Sequence, residues 1–371
     1  MVVQNLYDSL DPKKSPGSPL VFVHTTNGSV DFSLFSVALQ SRFSKYLQLA
    51  PLVMSHYNDR SSTLFNPTLS DHASISTYFL QAGISDPVLL KTKSEMRKVG
   101  KEVRLVCMVS CIDNSIARLL LGDYMEEEND RSDSPTATRL NLSSNDSRQE
   151  MYELFAKHPS LLGNDVRGWE YANNATTHFW PFIKWTHVLG LKPSDTLFQL
   201  LLVYYVVTLY KVVQLETGEL VTIKPGVVTS GGLTTYSDNS CKRSALEAKI
   251  SLCHEEQVTF VEAAGDDCLS TANPHSSTFH MYGFEITDEE ICTPETGYSF
   301  CSTRFTKNGS YQENIDKMFT KMVSDYLTNL SEVEDLDLFY EQVSSFNTCF
   351  ENHPNYRTYV GLLDVLLTCK A

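Results

Sequence analysis

Nowhere in its 371 residues does the chain place two cysteines as Cys-x-x-Cys, and its nine cysteines form no even framework. That argues against structural zinc and a disulfide scaffold, and fits reduced thiols in a cytosolic setting. Positive charge is also short: 30 Lys and Arg face 45 Asp and Glu, a formal charge of −15. Such a surface repels phosphate backbones on average, so a nucleic-acid function needs a local basic patch. Long apolar runs are missing too. The most apolar stretch, Leu197 to Val213, is interrupted by Gln199, Thr208 and Lys211 and falls short of the ~20 residues of a spanning helix. It reads as one buried helix started by Pro193-Ser194-Asp195, and no transmembrane segment is expected. The first residues lack a basic region followed by an apolar run, so no secretory signal is expected, and no repeat recurs at solenoid periods. What is present, 42% hydrophobic residues, suffices to bury a sizeable core in two or three lobes.

Along the chain, the first 90 residues mix short apolar runs with Ser, Asn, Pro and Gly and carry no chemical motif. Residues 90–104 read LKTKSEMRKVGKEVR, six cations against two glutamates, or +4 within an acidic protein. Residues 123–150 reverse the sign and read as a solvated loop or insertion. Glu216-Thr217-Gly218-Glu219 separates two β-prone runs, a hairpin signal. STFHMYGFEITDEE suggests a helix-to-strand passage, YSFCSTRF a strand, and the tail from Gln312 to Ala371 has helical spacing.

Three acids and one polar segment carry the chemistry. Gly265-Asp266-Asp267 sets two mutually repelling carboxylates in a turn after the β-prone run Val258 to Val261, with Gly265 favouring the turn. Asp165 precedes a turn glycine in GNDVRGWE. Carboxylates at adjacent strand ends can share two Mg²⁺ ions about 3.5–4 Å apart, which removes the repulsion; an ordinary turn or cap residue is the plainer alternative for Asp165. In TSGGLTTYSDNS a Gly-containing loop opens a helix on which Thr235 and Asn239, four apart, share a face suited to a sugar's hydroxyls. A Ser/Thr-rich helix start is the alternative there. The basic window offers a cradle for a triphosphate or, more plainly, a solvated face.

In this order the motifs resemble the viral RNA-directed RNA polymerases, most like those of the sobemovirus and luteovirus-like group, over roughly Lys93 to Phe305. The basic fingers motif KxExR is matched by Lys93-Ser94-Glu95-Met96-Arg97, followed by Arg104-Leu105. The DxxGxD motif is matched by Asp165-Val166-Arg167-Gly168-Trp169-Glu170, with Glu for the last Asp. SGxxxTxxxNS is matched at every fixed position by Ser230, Gly231, Thr235, Asn239 and Ser240. Gly265-Asp266-Asp267 supplies GDD, and Phe300-Cys301-Ser302 the later FCS.

The resemblance implies an α/β (α+β) right-hand polymerase fold. Residues 1–164 would be fingers, 165–305 the palm with a fingers insertion at about 171–226, and 306–371 a small helical thumb. It implies an RNA-directed RNA polymerase that binds RNA template, nascent RNA and NTPs, works beside other viral replication proteins in replication complexes of the host cell cytoplasm, and uses two Mg²⁺ ions, with Mn²⁺ as a substitute. Asp165, Asp266 and Asp267 would be the catalytic metal ligands. Glu170, Ser230, Gly231, Thr235 and Asn239 would bind the nucleotide and its ribose, and Lys93, Arg97, Lys98, Lys101 and Arg104 the triphosphate. The rivals are a reverse transcriptase, against which the carboxylate of Glu170 argues, and a catalytically inactive palm-fold RNA-binding protein. The chain departs from many relatives in having no Lys between Cys268 and Thr306. The acid that protonates pyrophosphate is therefore unassigned, with Arg304, His275 and His280 as alternatives.

Overall fold

The structure, a computed structural model, describes residues 2–22, 24, 26–59, 62–93, 105–130, 144–328 and 333–368. It is a mixed α+β chain, 53% helix and 15% strand, with mainly antiparallel sheets. The N-terminal part begins with helix α1 (Val2–Asp8) and the long α2 (Phe32–Tyr57), whose N-cap Asp31 accepts from the Ser33 and Leu34 amides at 2.8 and 3.2 Å. Along α2, Phe35, Leu39, Tyr46 and Val53 form one buried face, the stripe that periodicity of 3.6 demands. Helix α3 (Leu69–Gln81) leads to strands β1 (Val88–Thr92) and β2 (Leu105–Met108), then helix α4 (Cys111–Asp130).

Two expectations change here. The acidic run from Asp123 is not a solvated loop up to Asp130: it is the last turns of α4, where Tyr124 and Glu128 are buried. Glu128 can be buried because Lys184 and Ser237 both close on its carboxylate. Residues 131–143 lie outside the described residues, and helix α5 (Asn145–Phe155) begins soon after.

Strand β3 (Leu161–Val166) is followed by the single-turn α6 (Trp169–Ala172), α7 (Ala175–Val188) and α8 (Thr196–Leu209). α8 is apolar on every side and buries ten side chains against α2, α4 and α7, as an all-round apolar helix must. The second change is its end. The helix stops at Leu209, and the β-branched Val212 and Val213 start strand β4 (Val212–Gln214), which returns through the expected hairpin as β5 (Leu220–Thr222). β4 pairs parallel with β1, giving the sheet order β2-β1-β4-β5. Among the described residues no helix is long and apolar enough to cross a membrane.

Helix α9 (Thr235–Cys253) then packs on a hairpin of β6 (Val261–Ala264) and β7 (Asp267–Ser270). After α10 (Ser276–Met281), strand β8 (Ile286–Cys292) completes an antiparallel sheet of order β6-β7-β3-β8. The segment YSFCSTRF is two strands rather than one: β9 (Tyr298–Phe300) and β10 (Thr303–Thr306), extended by β11 (Gly309–Gln312). Phe155 of α5, Leu161, Leu269, Tyr298, Phe300 and Phe305 share one core beneath these strands. The domain boundaries expected at 164/165 and 305/306 thus fall inside β3 and β10. Helices α11 (Ile315–Thr328), α12 (Val333–Phe350) and α13 (Tyr356–Thr368) close the chain around their own core of Ile315, Met322, Phe346, Phe350 and Leu363.

Candidate active site

Strand register brings the expected acids together. Leu162 pairs with Ser270 and Gly163 with Leu269, and the same register carried two residues on sets Asp165 level with Asp267. On the other side Asp165 pairs with Asp288 of β8, just before a register shift. Ala264 pairs with Asp267, so Gly265 and Asp266 alone form the hairpin turn. Gly265 has φ +69°, a conformation that favours glycine at the first central position of such turns. Asp165, Asp267, Asp288, Glu290, Cys301 and Ser302 line a cleft of about 120 Å³ over this end of the sheet.

The cleft is short of positive charge. Burial and then Asp266 raise the Asp165 carboxyl above its ordinary range. Asp267 is raised to about 6 by burial, by Asp266 and by Asp165, against the opposing pull of Arg243. Among the described residues these like charges outweigh the opposing cation Arg243, and hard carboxylate oxygens are the donors Mg²⁺ prefers. Among the described residues no three His, Cys, Asp or Glu converge as a ready-made cage. The Cys301 thiol, pushed up by burial and by Asp267, shares a hydrogen bond with the Asp267 carboxylate. Cys301 and Ser302 form the whole turn between β9 and β10, and both have positive φ, 52° and 55°.

Helix α9 holds the acidic turn from below through Ser240, the last fixed position of the SGxxxTxxxNS match, and through Arg243 and Glu247, which the sequence did not single out. Ser240 Oγ accepts from the Gly265 amide at 2.8 Å while donating to Tyr236 O at 2.9 Å. Arg243 Nε donates to the Asp266 carbonyl at 3.1 Å, and Nη2 donates to Glu247 Oε1 at 2.9 Å and to Asn164 Oδ1. Asn164 Nδ2 in turn donates to Glu247 at 3.1 Å. Arg243 and Glu247 are both fully enclosed, so the pair fixes the residue before Asp165 and the turn that carries Asp266. The available signal was spacing: Ser240, Arg243 and Glu247 stand at i, i+3 and i+7 and share a helix face.

The SG loop is built against β2. The Cys107 amide donates to Ser230 Oγ at 3.2 Å, and a Cβ at Gly231 would overlap the Cys107 carbonyl oxygen. Asn114 brackets the loop, donating to Gly231 O at 3.2 Å and accepting from the Leu233 amide at 2.9 Å. The Val228 amide donates to the Glu170 carbonyl at 3.0 Å, which ties α6 to the same loop. Asn239 is buried, and among the described residues its Oδ1 has no partner. Thr235 differs from expectation. Its hydroxyl donates to Thr229 O at 2.7 Å to close the loop, and it lines a second cavity rather than the acidic cleft.

Of the expected triphosphate ligands, Lys93 is exposed just after β1, while Arg97, Lys98, Lys101 and Arg104 lie outside the described residues. The three alternative proton donors do not line the acidic cleft. Arg304 is held by Glu290 and Glu313, both at 2.7 Å, and His275 faces Glu256 at 3.0 Å. The chain matches no protein-family model, and no curated protein matches it.

Proposed function

We propose that this chain is an RNA-directed RNA polymerase that extends an RNA 3′ end by template-directed transfer of nucleoside monophosphates from NTPs. One observation carries the reading: Asp165 at a strand end sits level with a Gly-Asp-Asp hairpin, in one antiparallel sheet braced by the helix that follows a Ser-Gly loop. In the right-hand arrangement this implies, the N-terminal helices and the β2-β1-β4-β5 sheet are fingers, the β6-β7-β3-β8 sheet is palm and α11 to α13 are thumb.

Asp165, Asp266 and Asp267 would hold two divalent ions. Bound Mg²⁺, or Mn²⁺ in its place, would lower the pKa of the primer 3′-hydroxyl and neutralise the departing pyrophosphate. The chain's own part is to hold the three acids in place. Arg243 favours the charged form of Asp267 and grips the Asp266 backbone, Ser240 grips Gly265, and Cys301 meets Asp267. Glu170, bound to the SG loop through its backbone, and Asn239, with its unpartnered oxygen, are the groups we assign to the ribose 2′-hydroxyl, a contact that selects NTP over dNTP. The basic window from Lys93 to Arg104 would steer the triphosphate.

Primer extension on an RNA template tests this. With Mg²⁺ or Mn²⁺ the chain should incorporate NTPs in preference to dNTPs. Preferential dNTP incorporation would make it a reverse transcriptase, and RNA binding with no incorporation would leave the inactive binder.

A further inference from the structure

The second cavity, of about 70 Å³, is lined by Lys211, Lys242, His178, Thr208, Thr229 and Asp238 among others. Lys242 is 2% exposed, and among the described residues no hydrogen bond or ion pair closes on its Nζ. Lys211 donates to Thr229 Oγ1 at 3.2 Å, and among the described residues it has no carboxylate within ion-pair distance. Two ammonium groups there face one carboxylate, Asp238, whose Oδ2 is already bonded by Thr234 at 2.6 Å. The other acids of the cavity, Asp86 and Asp113, are bridged by Arg42. The lysine end therefore carries an excess of one positive charge. An uncompensated buried ammonium is costly, and both lysines are pushed below the ordinary lysine range by burial. Thr234 and Thr235, at the positive N-terminal end of the 19-residue α9, border the same space, which also favours an anion.

We infer that the Lys211–Lys242 end of this cavity is a binding site for a phosphate group. A compact ammonium serves phosphate as a point charge, and Thr229, whose hydroxyl accepts from Lys211, adds a neutral partner. The phosphate can come from inorganic phosphate or from a nucleotide. Neither source requires nucleotidyl transfer, so this proposal and the polymerase reading fail separately.

The test is the melting temperature of the full chain titrated at constant ionic strength with sodium phosphate, with a nucleoside triphosphate, and with acetate as control. Phosphate should stabilise the wild type in a saturable way and do so unchanged in Asp266→Asn. Lys242→Met and Lys211→Met should each need at least about tenfold more phosphate, the loss of one charge-assisted hydrogen bond. Two separate variants guard against one that fails to fold, and ³¹P line broadening in the wild type reads binding without any variant. A response to triphosphate alone that Lys242→Met weakens equally would identify a nucleotide as the source. Equal stabilisation of wild type and both variants, an acetate effect as large as that of phosphate, or no broadening and no shift with either phosphate would overturn the site.

Discussion

The two faces of α9 make opposite use of buried charge. Ser240, Arg243 and Glu247 face the acidic hairpin, and Thr235, Asp238 and Lys242 repeat the same i, i+3, i+7 spacing five residues earlier, about 140° around the helix at 3.6 residues per turn. On the first face the cation is matched: Arg243 meets Glu247 at 2.9 Å and also bonds Asn164 and the Asp266 carbonyl. On the second, Lys242 is as deeply enclosed yet has no bonded partner among the described residues. A matched buried ion positions its neighbours, whereas an unmatched one is the group we assign to phosphate. Burial of a charge is not itself a functional signal; what closes on it is.

Substitution should break this contrast most sharply. Arg243→Met leaves Glu247 enclosed without its partner and should cost about 3–5 kcal/mol in urea melts. Lys242→Met removes a charge that had no partner, so stability should be unchanged or higher. Equal losses in both variants would erase the distinction between the faces.

A subtler effect appears with pH. Lys211 titrates at about 8 rather than the ordinary 10.5, so between those values the unfolded chain binds the extra proton. Stability should therefore rise with pH from about 8 to 10.5. The Lys211→Met chain, measured in parallel, should lack that part of the rise, and identical pH slopes would contradict the burial argument. The smallest effect belongs to the Cys301–Ser302 turn over the acidic cleft. Glycine relieves the left-handed strain at Ser302, so Ser302→Gly should raise stability by about 0.5–1 kcal/mol, readable as a higher urea midpoint.

The first face was partly legible in the sequence because its signals are local. Gly265 declares its turn by needing a positive φ, and strand alternation sets Asp165 against the hairpin. The SG loop and the helix after it follow from turn and spacing rules alone. Arg243, Glu247 and Asp288 were not legible, since a charged residue reads as exposed until a distant element supplies its partner. Glu128 failed for the same reason: its acidic run reads as solvated loop, and only Lys184 of α7 and Ser237 of α9 explain its burial. The end of α8 is ambiguous because the apolar run to Val213 does not distinguish a buried helix from the buried strand that follows it, although the hairpin signal at Glu216 to Glu219 already claims Val212 and Val213 as β-prone. The lysine cavity depends on Lys211 before β4 and Lys242 on α9, a meeting that no sequence spacing announces.

Single-nucleotide primer extension on an RNA template asks whether the hairpin acids beside Asp165 are a nucleotidyl-transfer site. Wild type and Asp266→Ala are compared with Mg²⁺ and NTPs, with folding of both verified by circular dichroism. The account predicts template-directed incorporation by the wild type and none by the folded variant. Undiminished incorporation by folded Asp266→Ala, or none by the wild type with either Mg²⁺ or Mn²⁺, would contradict it.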